Sequence, residues 1–138
     1  MSRVIFDASA LVKLVVDEAG TPEARSHFDA SGHPAAPDWS MLECAQALWK
    51  KADRGEYPPE VMRHALAILQ RIDMSLLASA DVVDSAMQLA LAQQHPVYDC
   101  AYVALALVEG AALVTADARQ RQVAEAAGVD VLWIGSSR

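Results

Sequence analysis

The sequence contains little cysteine, few aromatic residues and no long apolar run. Two of its 138 residues are cysteine, and glycine and proline number six each. Two cysteines cannot build a disulfide framework, so Cys44 and Cys100, both in apolar helical surroundings, are expected to be buried reduced thiols. The apolar runs at residues 4–6 and 100–108 are too short for a signal peptide or a membrane span. These absences predict a cytoplasmic protein without a membrane segment.

The charge balance is acidic, with a net charge of −7 and an isoelectric point near 4.9. This argues against broad, non-specific binding of nucleic acid. It leaves room for a local basic patch. It also leaves room for a cluster of acids around a bound cation, which changes the local sign of the charge.

The length and the hydrophobic content of 54% predict one globular domain that spans residues 1–138. Short apolar runs alternate with amphipathic segments, which predicts a single three-layer α/β/α domain with a central, mostly parallel sheet. The predicted strands cover residues 3–7, 112–115 and 129–134, with a weak one at 72–77 and a very short one within 33–37. The predicted helices cover residues 9–16, 22–30, 39–53, 59–71, 80–93, 99–109 and 118–127. Residues 135–138 are expected to form a frayed tail.

Helical periodicity predicts which faces are buried. In the helix at 80–93, Val83, Met87, Ala90 and Leu91 are expected to face the core. In the helix at 39–53, the apolar stripe comprises Met41, Leu42, Ala45, Leu48, Trp49 and Ala52. Glu43 lies off this stripe, and periodicity alone therefore predicts a solvated side chain for it.

Acidic residues follow two of the predicted strands. Asp7 ends the first strand, Asp117 follows the strand at 112–115, and Asp99 begins the long apolar helix before that strand. That helix rises about 15 Å and the strand returns about 17 Å, so Asp117 comes back near Asp99. Sites in parallel sheets form at the carboxyl ends of the strands. Each acid alone is better explained as a helix cap, but capping does not explain why three acids converge.

Four segments together resemble a known family. They are VIFDAS around Asp7, PDWSMLECAQALWK around Glu43, VYDCAYVALA around Asp99 and LVTAD around Asp117. Their order and spacing are similar to those of the PIN-domain ribonucleases, most closely the VapC-type toxins of bacterial toxin–antitoxin pairs. The resemblance covers essentially the whole chain. Gln46 departs from it, because the family usually has Asn at this position, and so does the polar segment ARQRQV after Asp117.

The resemblance implies a metal-dependent endoribonuclease in which Asp7, Glu43, Asp99 and Asp117 are catalytic residues and ligands of Mg²⁺ or Mn²⁺. It is the resemblance, not periodicity, that brings Glu43 into the site. An all-oxygen set suits these metals better than zinc, and the four histidines show no ligand spacing. Ser9 and Thr115 are expected to support the site.

The resemblance also implies an RNA substrate, a homodimer and a small antitoxin that blocks the site. Positively charged side chains near the acids are candidate RNA contacts, with ordinary solvated residues as an equal alternative. These candidates are Lys13, Lys50, Arg119 and Arg121.

Two other classes stay open. One is a non-catalytic PIN-like module that binds RNA or regulates a partner, which would not need all four acids. The other is an acid-dependent phosphatase or a phosphotransfer receiver. The first strand is followed by Asp-Ala-Ser instead of a paired DxD, and no GxxxxGK loop is present, so this second class is weaker.

Overall fold

The structure, a computed structural model, describes residues 3–136, so the last two residues of the expected tail lie outside it. One sheet of five parallel strands, in the order β3-β2-β1-β4-β5, forms its centre. The strands are β1 (Arg3–Phe6), β2 (His33–Pro37), β3 (Ser75–Leu77), β4 (Ala112–Thr115) and β5 (Val131–Trp133). The helices are α1 (Ala8–Lys13), α2 (Thr21–Ala30), α3 (Ser40–Asp53), α4 (Pro59–Leu69), α5 (Val83–Gln93), α6 (Val97–Glu109) and α7 (Ala118–Ala127). A short 3₁₀ turn, Ser79–Asp81, precedes α5.

Two apolar cores cover the two faces of the sheet. Neighbouring residues of a strand point to opposite faces, so Ile5 belongs to the core under α5, α6 and α7, and Phe6 to the core under α1 to α4. Leu113 and Val114 of β4 divide in the same way. The predicted three-layer α/β/α architecture is therefore confirmed, and the sheet is parallel throughout the described residues.

The middle of helix α6 is enclosed, whereas its two ends are exposed. Its side chains from Tyr102 to Ala106 are all buried, as expected for a helix that is apolar on every side. It ends at Gly110, whose φ of +61° is the left-handed conformation of a helix C-cap. Cys44 and Cys100 are both buried and unpaired, which confirms that expectation.

Several local predictions are wrong. On α5, Ala90 is buried as predicted, but Val83, Met87 and Leu91 are exposed, because the helix packs inward through the small Ala86 and Ala90. Helix α2, predicted from residue 22, begins at Thr21 with Gly20 as its N-cap, and the Thr21 hydroxyl donates to the Val16 carbonyl. No helix within residues 3–136 has the length and apolarity needed to cross a membrane.

Two further predictions concern α3 and β2. On α3, Leu42 and Trp49 are exposed and the buried residues are Ser40, Cys44 and Leu48. The segment expected to hold a very short strand forms the five-residue β2, which lies between β1 and β3.

Candidate active site

Asp7 lies directly after β1, at the carboxyl end of the central strand of the sheet. Its backbone is extended and its side chain accepts a hydrogen bond from the Ala10 amide, so it caps α1. The carboxylate is only 2% exposed. Burial, assisted weakly by the negative charge of Asp117, raises its pKa from 3.8 to about 6 against the opposing effect of its hydrogen bonds. A buried carboxylate with a raised pKa is a feature of functional sites.

Two hydroxyl groups fix the Asp7 carboxylate. Ser9 Oγ donates to Oδ1 at 2.5 Å and accepts from the Ala116 amide at 2.9 Å. Thr115 Oγ1 donates to Oδ2 at 2.5 Å and accepts from the Asp117 amide at 2.9 Å. Both side chains therefore tie the carboxylate after β1 to the segment after β4, and they act as positioning residues.

Asp117 and Asp99 approach from two helix N-termini. Asp117 Oδ1 caps α7 by accepting from the amides of Arg119 and Gln120. Asp99 lies in the first turn of α6, but Pro96 occupies the cap position, so the capping explanation is wrong for Asp99. Its Oδ2 atom is buried and has no hydrogen-bond partner in the described part of the chain.

Glu43 lies in the first turn of α3, and its Oε1 atom is buried without a hydrogen bond of good geometry. The prediction of a solvated side chain from periodicity is therefore wrong. Burial raises the pKa of Glu43, and the negative charges of Asp117 and Asp99 add to the rise. Since these charges act on one another, the structure brings together the four acids Asp7, Glu43, Asp99 and Asp117, called the acidic cluster below.

Two aromatic residues that the sequence reasoning missed adjoin Glu43. The Tyr102 hydroxyl and the Trp39 indole N–H oppose the rise in the pKa of Glu43, although neither makes a hydrogen bond of good geometry. Their rings lie 5.6 Å apart. Spacing could have indicated both residues, because Trp39 lies four residues before Glu43 and Tyr102 three residues after Asp99.

The acidic cluster is not a preassembled metal site. Among residues 3–136, no three acidic, histidine or cysteine side chains lie close enough together to hold a metal ion. The unpartnered Glu43 Oε1 and Asp99 Oδ2 atoms nevertheless leave acceptor capacity for a cation. Mg²⁺ is usually held by one or two carboxylates together with water and substrate phosphate. The residues therefore fit a hydrated divalent cation.

Two of the expected RNA contacts are free of strong ion pairs. Arg119 reaches the acidic cluster, with its Nη1 atom 3.9 Å from Asp99 Oδ2, and its side chain is 72% exposed. Lys50 is exposed near the C-terminal end of α3. Of the two, Arg119 is the one that contacts an acid of the cluster.

The other two candidates already have partners. Lys13 Nζ lies 3.3 Å from Glu18, which also bonds to Lys51. Arg121 bonds to Glu125 at 2.9 Å and lies over the ring of Trp133. These contacts lower the capacity of both side chains to bind phosphate.

Comparison with known proteins gives a match along most of the chain. The family model for the PIN domain matches residues 4–126. Ribonuclease VapC3 of Pyrobaculum aerophilum is 34% identical over 125 residues, which cover 89% of this chain and 93% of the relative. The alignment therefore spans most of the length of both sequences.

Solved structures share the fold at low sequence identity. PAE2754 from Pyrobaculum aerophilum aligns with a TM-score of 0.74 and 21% identity over 95% of this chain and 84% of its own. VapBC2 from Rickettsia felis, bound to a DNA fragment from its promoter, aligns with a TM-score of 0.65 and 10% identity over 94% of this chain and 96% of its own. VapC20 of Mycobacterium tuberculosis, a toxin that cleaves the sarcin–ricin loop, aligns with a TM-score of 0.60 and 14% identity over 78% of this chain and 84% of its own.

Proposed function

The chain belongs to the PIN-domain family, and from this premise we propose that it is a metal-dependent endoribonuclease and the toxin of a type II toxin–antitoxin pair. The observation that carries the proposal is the acidic cluster at the carboxyl ends of β1 and β4. The sheet order changes direction between these strands, and ligands of open α/β sheets bind at such switch points.

The residues of the acidic cluster have distinct roles in this proposal. Asp7, Asp99 and Asp117, with Glu43, hold Mg²⁺ or Mn²⁺ directly or through water. The bound cation supplies Lewis acidity to the scissile phosphate and makes a water molecule more acidic. Ser9 and Thr115 keep Asp7 in place, as their hydrogen bonds indicate.

Glu43 acts on the attacking water and Arg119 on the RNA phosphate. Glu43, with its unpartnered Oε1 atom and raised pKa, orients the attacking water and accepts its proton. Arg119 contacts an RNA phosphate, because its guanidinium lies within ion-pair distance of Asp99 and therefore beside the acidic cluster. Lys50 is a second, more distant phosphate contact.

The proposed partners follow from the family and from the surface. An antitoxin covers the acidic cluster, which attracts a basic side chain, and the structural neighbour from Rickettsia felis is a VapBC complex. A homodimer is supported by the exposed apolar row Val83, Met87 and Leu91 on α5. The two buried, unpaired cysteines fit a reducing cytoplasm.

The test is cleavage of a panel of single-stranded and looped RNAs with Mg²⁺, Mn²⁺ or a chelator. Wild type and Asp29→Asn, an exposed acid on α2, are expected to cut with metal and not with chelator. Asp99→Asn is expected to keep the fold and lose cleavage. Full activity of well-folded Asp99→Asn would contradict the assignment.

One observation favours a second candidate, a non-catalytic module that binds RNA or regulates a partner. It is the absence, among residues 3–136, of three side chains placed to hold a metal ion together. Calorimetric titration with Mn²⁺ separates the two candidates. Binding that Asp99→Asn abolishes supports the nuclease, and no binding by wild type, with or without RNA, supports the non-catalytic module.

A further inference from the structure

A cleft of about 300 Å³ opens beside the acidic cluster. Its walls come from the residue before α3, from the 3₁₀ turn with the start of α5, and from the first turns of α6. Trp39, Ser79, Val83 and Tyr98 line it together with smaller aliphatic side chains. The volume lies at the lower end of the range for small-molecule sites, which suits one flat ring better than a folded chain.

The cleft is continuous with the acidic cluster. Trp39 forms part of its wall, and the indole N–H of the same residue acts on Glu43. Tyr98 also lines the cleft and is the residue before Asp99. A group bound in the cleft therefore lies next to the carboxylates that surround the phosphate in the proposed reaction.

The chemistry of the walls excludes a phosphate and favours an aromatic ring. No lysine, arginine, histidine or acid is among the residues that line the cleft. Tyr98 is 76% exposed and Val83 is 62% exposed, so both side chains present apolar surface to an incoming group. Unpaired RNA bases bind by stacking on such aromatic side chains, with little dependence on the identity of the base.

We propose that this cleft binds the unpaired base of a nucleotide next to the scissile phosphate, with Tyr98 as the stacking residue. The proposal rests on the proposed ribonuclease function and adds a base contact to it. The Ser79 hydroxyl lies in the lining and is available to the edge of the base. A base inside a duplex cannot enter, so the substrate is single-stranded or looped at the cleavage position.

A second copy of the chain is the competing occupant. The exposed row on α5 begins with Val83 at the rim of the cleft and continues through Met87 to Leu91, outside it. A row of side chains along a helix suits a protein interface, whereas the concave cleft beside it suits a ring. Leu91 is 69% exposed and is therefore a matched control, because it is apolar, on the same surface and remote from the cleft.

The experiment uses a short RNA with a mapped cleavage position and two copies of it that lack one base, on the 5′ or the 3′ side of that position. Fluorescence anisotropy in chelator measures binding, and cleavage with Mg²⁺ measures kcat and KM. Tyr98→Ala is expected to weaken binding and to raise KM roughly tenfold, while kcat is retained. Tyr98→Phe and Leu91→Ala are expected to bind as wild type does.

The base-free RNAs give the decisive comparison. Wild type is expected to bind one of the base-free RNAs roughly tenfold more weakly than the intact RNA. Tyr98→Ala is expected to bind that base-free RNA and the intact RNA equally well. Equal losses for both proteins, or no loss for either, overturn the proposal. So does a shift of Tyr98→Ala to monomer in analytical ultracentrifugation with RNA affinity unchanged, because a second copy then fills the cleft.

Failure of the proposed function has a different signature. If wild type cuts no RNA with any metal, the panel RNA that it binds most tightly in chelator replaces the mapped one, with each unpaired base removed in turn. Binding that still depends on Tyr98 and on one base then keeps the base site, and the nuclease assignment falls. If wild type cuts RNA and Tyr98→Ala cuts it with the same KM, the nuclease stands and the base site falls.

Discussion

Replacing Asp7 by asparagine is expected to stabilise the metal-free protein at neutral pH while abolishing RNA cleavage. Burial raises the pKa of the Asp7 carboxyl from 3.8 to about 6. Since one pKa unit corresponds to about 1.4 kcal/mol, keeping this carboxylate ionised in the fold costs about 3 kcal/mol at neutral pH. Asparagine carries no charge and avoids this cost.

The gain is reduced by a lost hydrogen bond. Asparagine offers one acceptor oxygen where the carboxylate has two, and Asp7 uses one oxygen for Ser9 and the other for Thr115. The unmatched hydroxyl must turn to accept from the amide, at a cost of about 1 kcal/mol. We therefore expect Asp7→Asn to raise the free energy of unfolding by about 2 kcal/mol at pH 7.5 and to lower it by about 1 kcal/mol below pH 4.

The sign of the pH dependence follows from proton linkage. Between pH 3.8 and about 6, Asp7 holds its proton in the folded protein but not in the unfolded chain. This group therefore stabilises the fold less and less as the pH rises through that window, and its contribution is constant above it. Urea unfolding of wild type and Asp7→Asn in chelator, from pH 3.5 to 8, measures the difference, in which the other titrating groups cancel.

A difference between the two proteins that stays constant from pH 4 to 7 would refute the reasoning. Cation binding provides a second comparison. Saturating Mn²⁺ should stabilise wild type at pH 7.5, because a ligand of the folded state alone shifts the unfolding equilibrium. It should stabilise Asp7→Asn much less, since the charged ligand is gone.

Three further substitutions test a hydrogen bond to Asp7, an RNA contact and an ion pair outside the site. Thr115→Val is expected to lose about 1–2 kcal/mol of stability and to raise the pKa of Asp7 further, whereas Thr115→Ser keeps both; urea unfolding across pH measures this. Arg119→Gln should raise KM several-fold and weaken the salt dependence of RNA binding without changing Tm, and Arg121→Gln should do so less. Glu18→Gln should cost about 1 kcal/mol at pH 7, and the cost should shrink as the pH falls below 4.5, because, although burial opposes it, Lys51 and Lys13 lower the pKa of Glu18; thermal melts measure this.

The layered fold could be predicted because its strands are buried on both faces. Continuous apolar runs such as residues 4–6 and 112–114 are typical of parallel strands covered by helices. β2 was the difficult strand. Its sequence, HPAAP, contains two prolines, which lack the amide donor and are unfavourable in strands. The segment becomes a strand because it pairs with β1 on one side and β3 on the other. This pairing depends on distant parts of the chain and cannot be read from the local sequence.

The two wrong helix faces have related causes. A helical wheel ranks residues by apolar character, so it grouped the large Val83, Met87 and Leu91 with Ala90, although α5 packs closely through Ala90 and the small Ala86. On α3, the exposed Leu42 and Trp49 widened the predicted stripe around Leu48, which is buried, and shifted it away from the buried Cys44 next to Glu43. Periodicity cannot separate a face that meets the protein's own core from a face that awaits a partner.

The geometry of the acidic cluster itself argues that cation and RNA bind together. A compact set of carboxylates would hold a metal alone, but it would also repel itself in the empty protein. The described residues contain no such set. The deeply buried acid of the cluster, Asp7, is hydrogen-bonded to two hydroxyl groups and does not face a second carboxylate at close range. The cost of the empty site is thereby limited to a few kcal/mol. The remaining ligands of a hydrated cation then have to come from water and from the RNA phosphate, so each should strengthen the binding of the other.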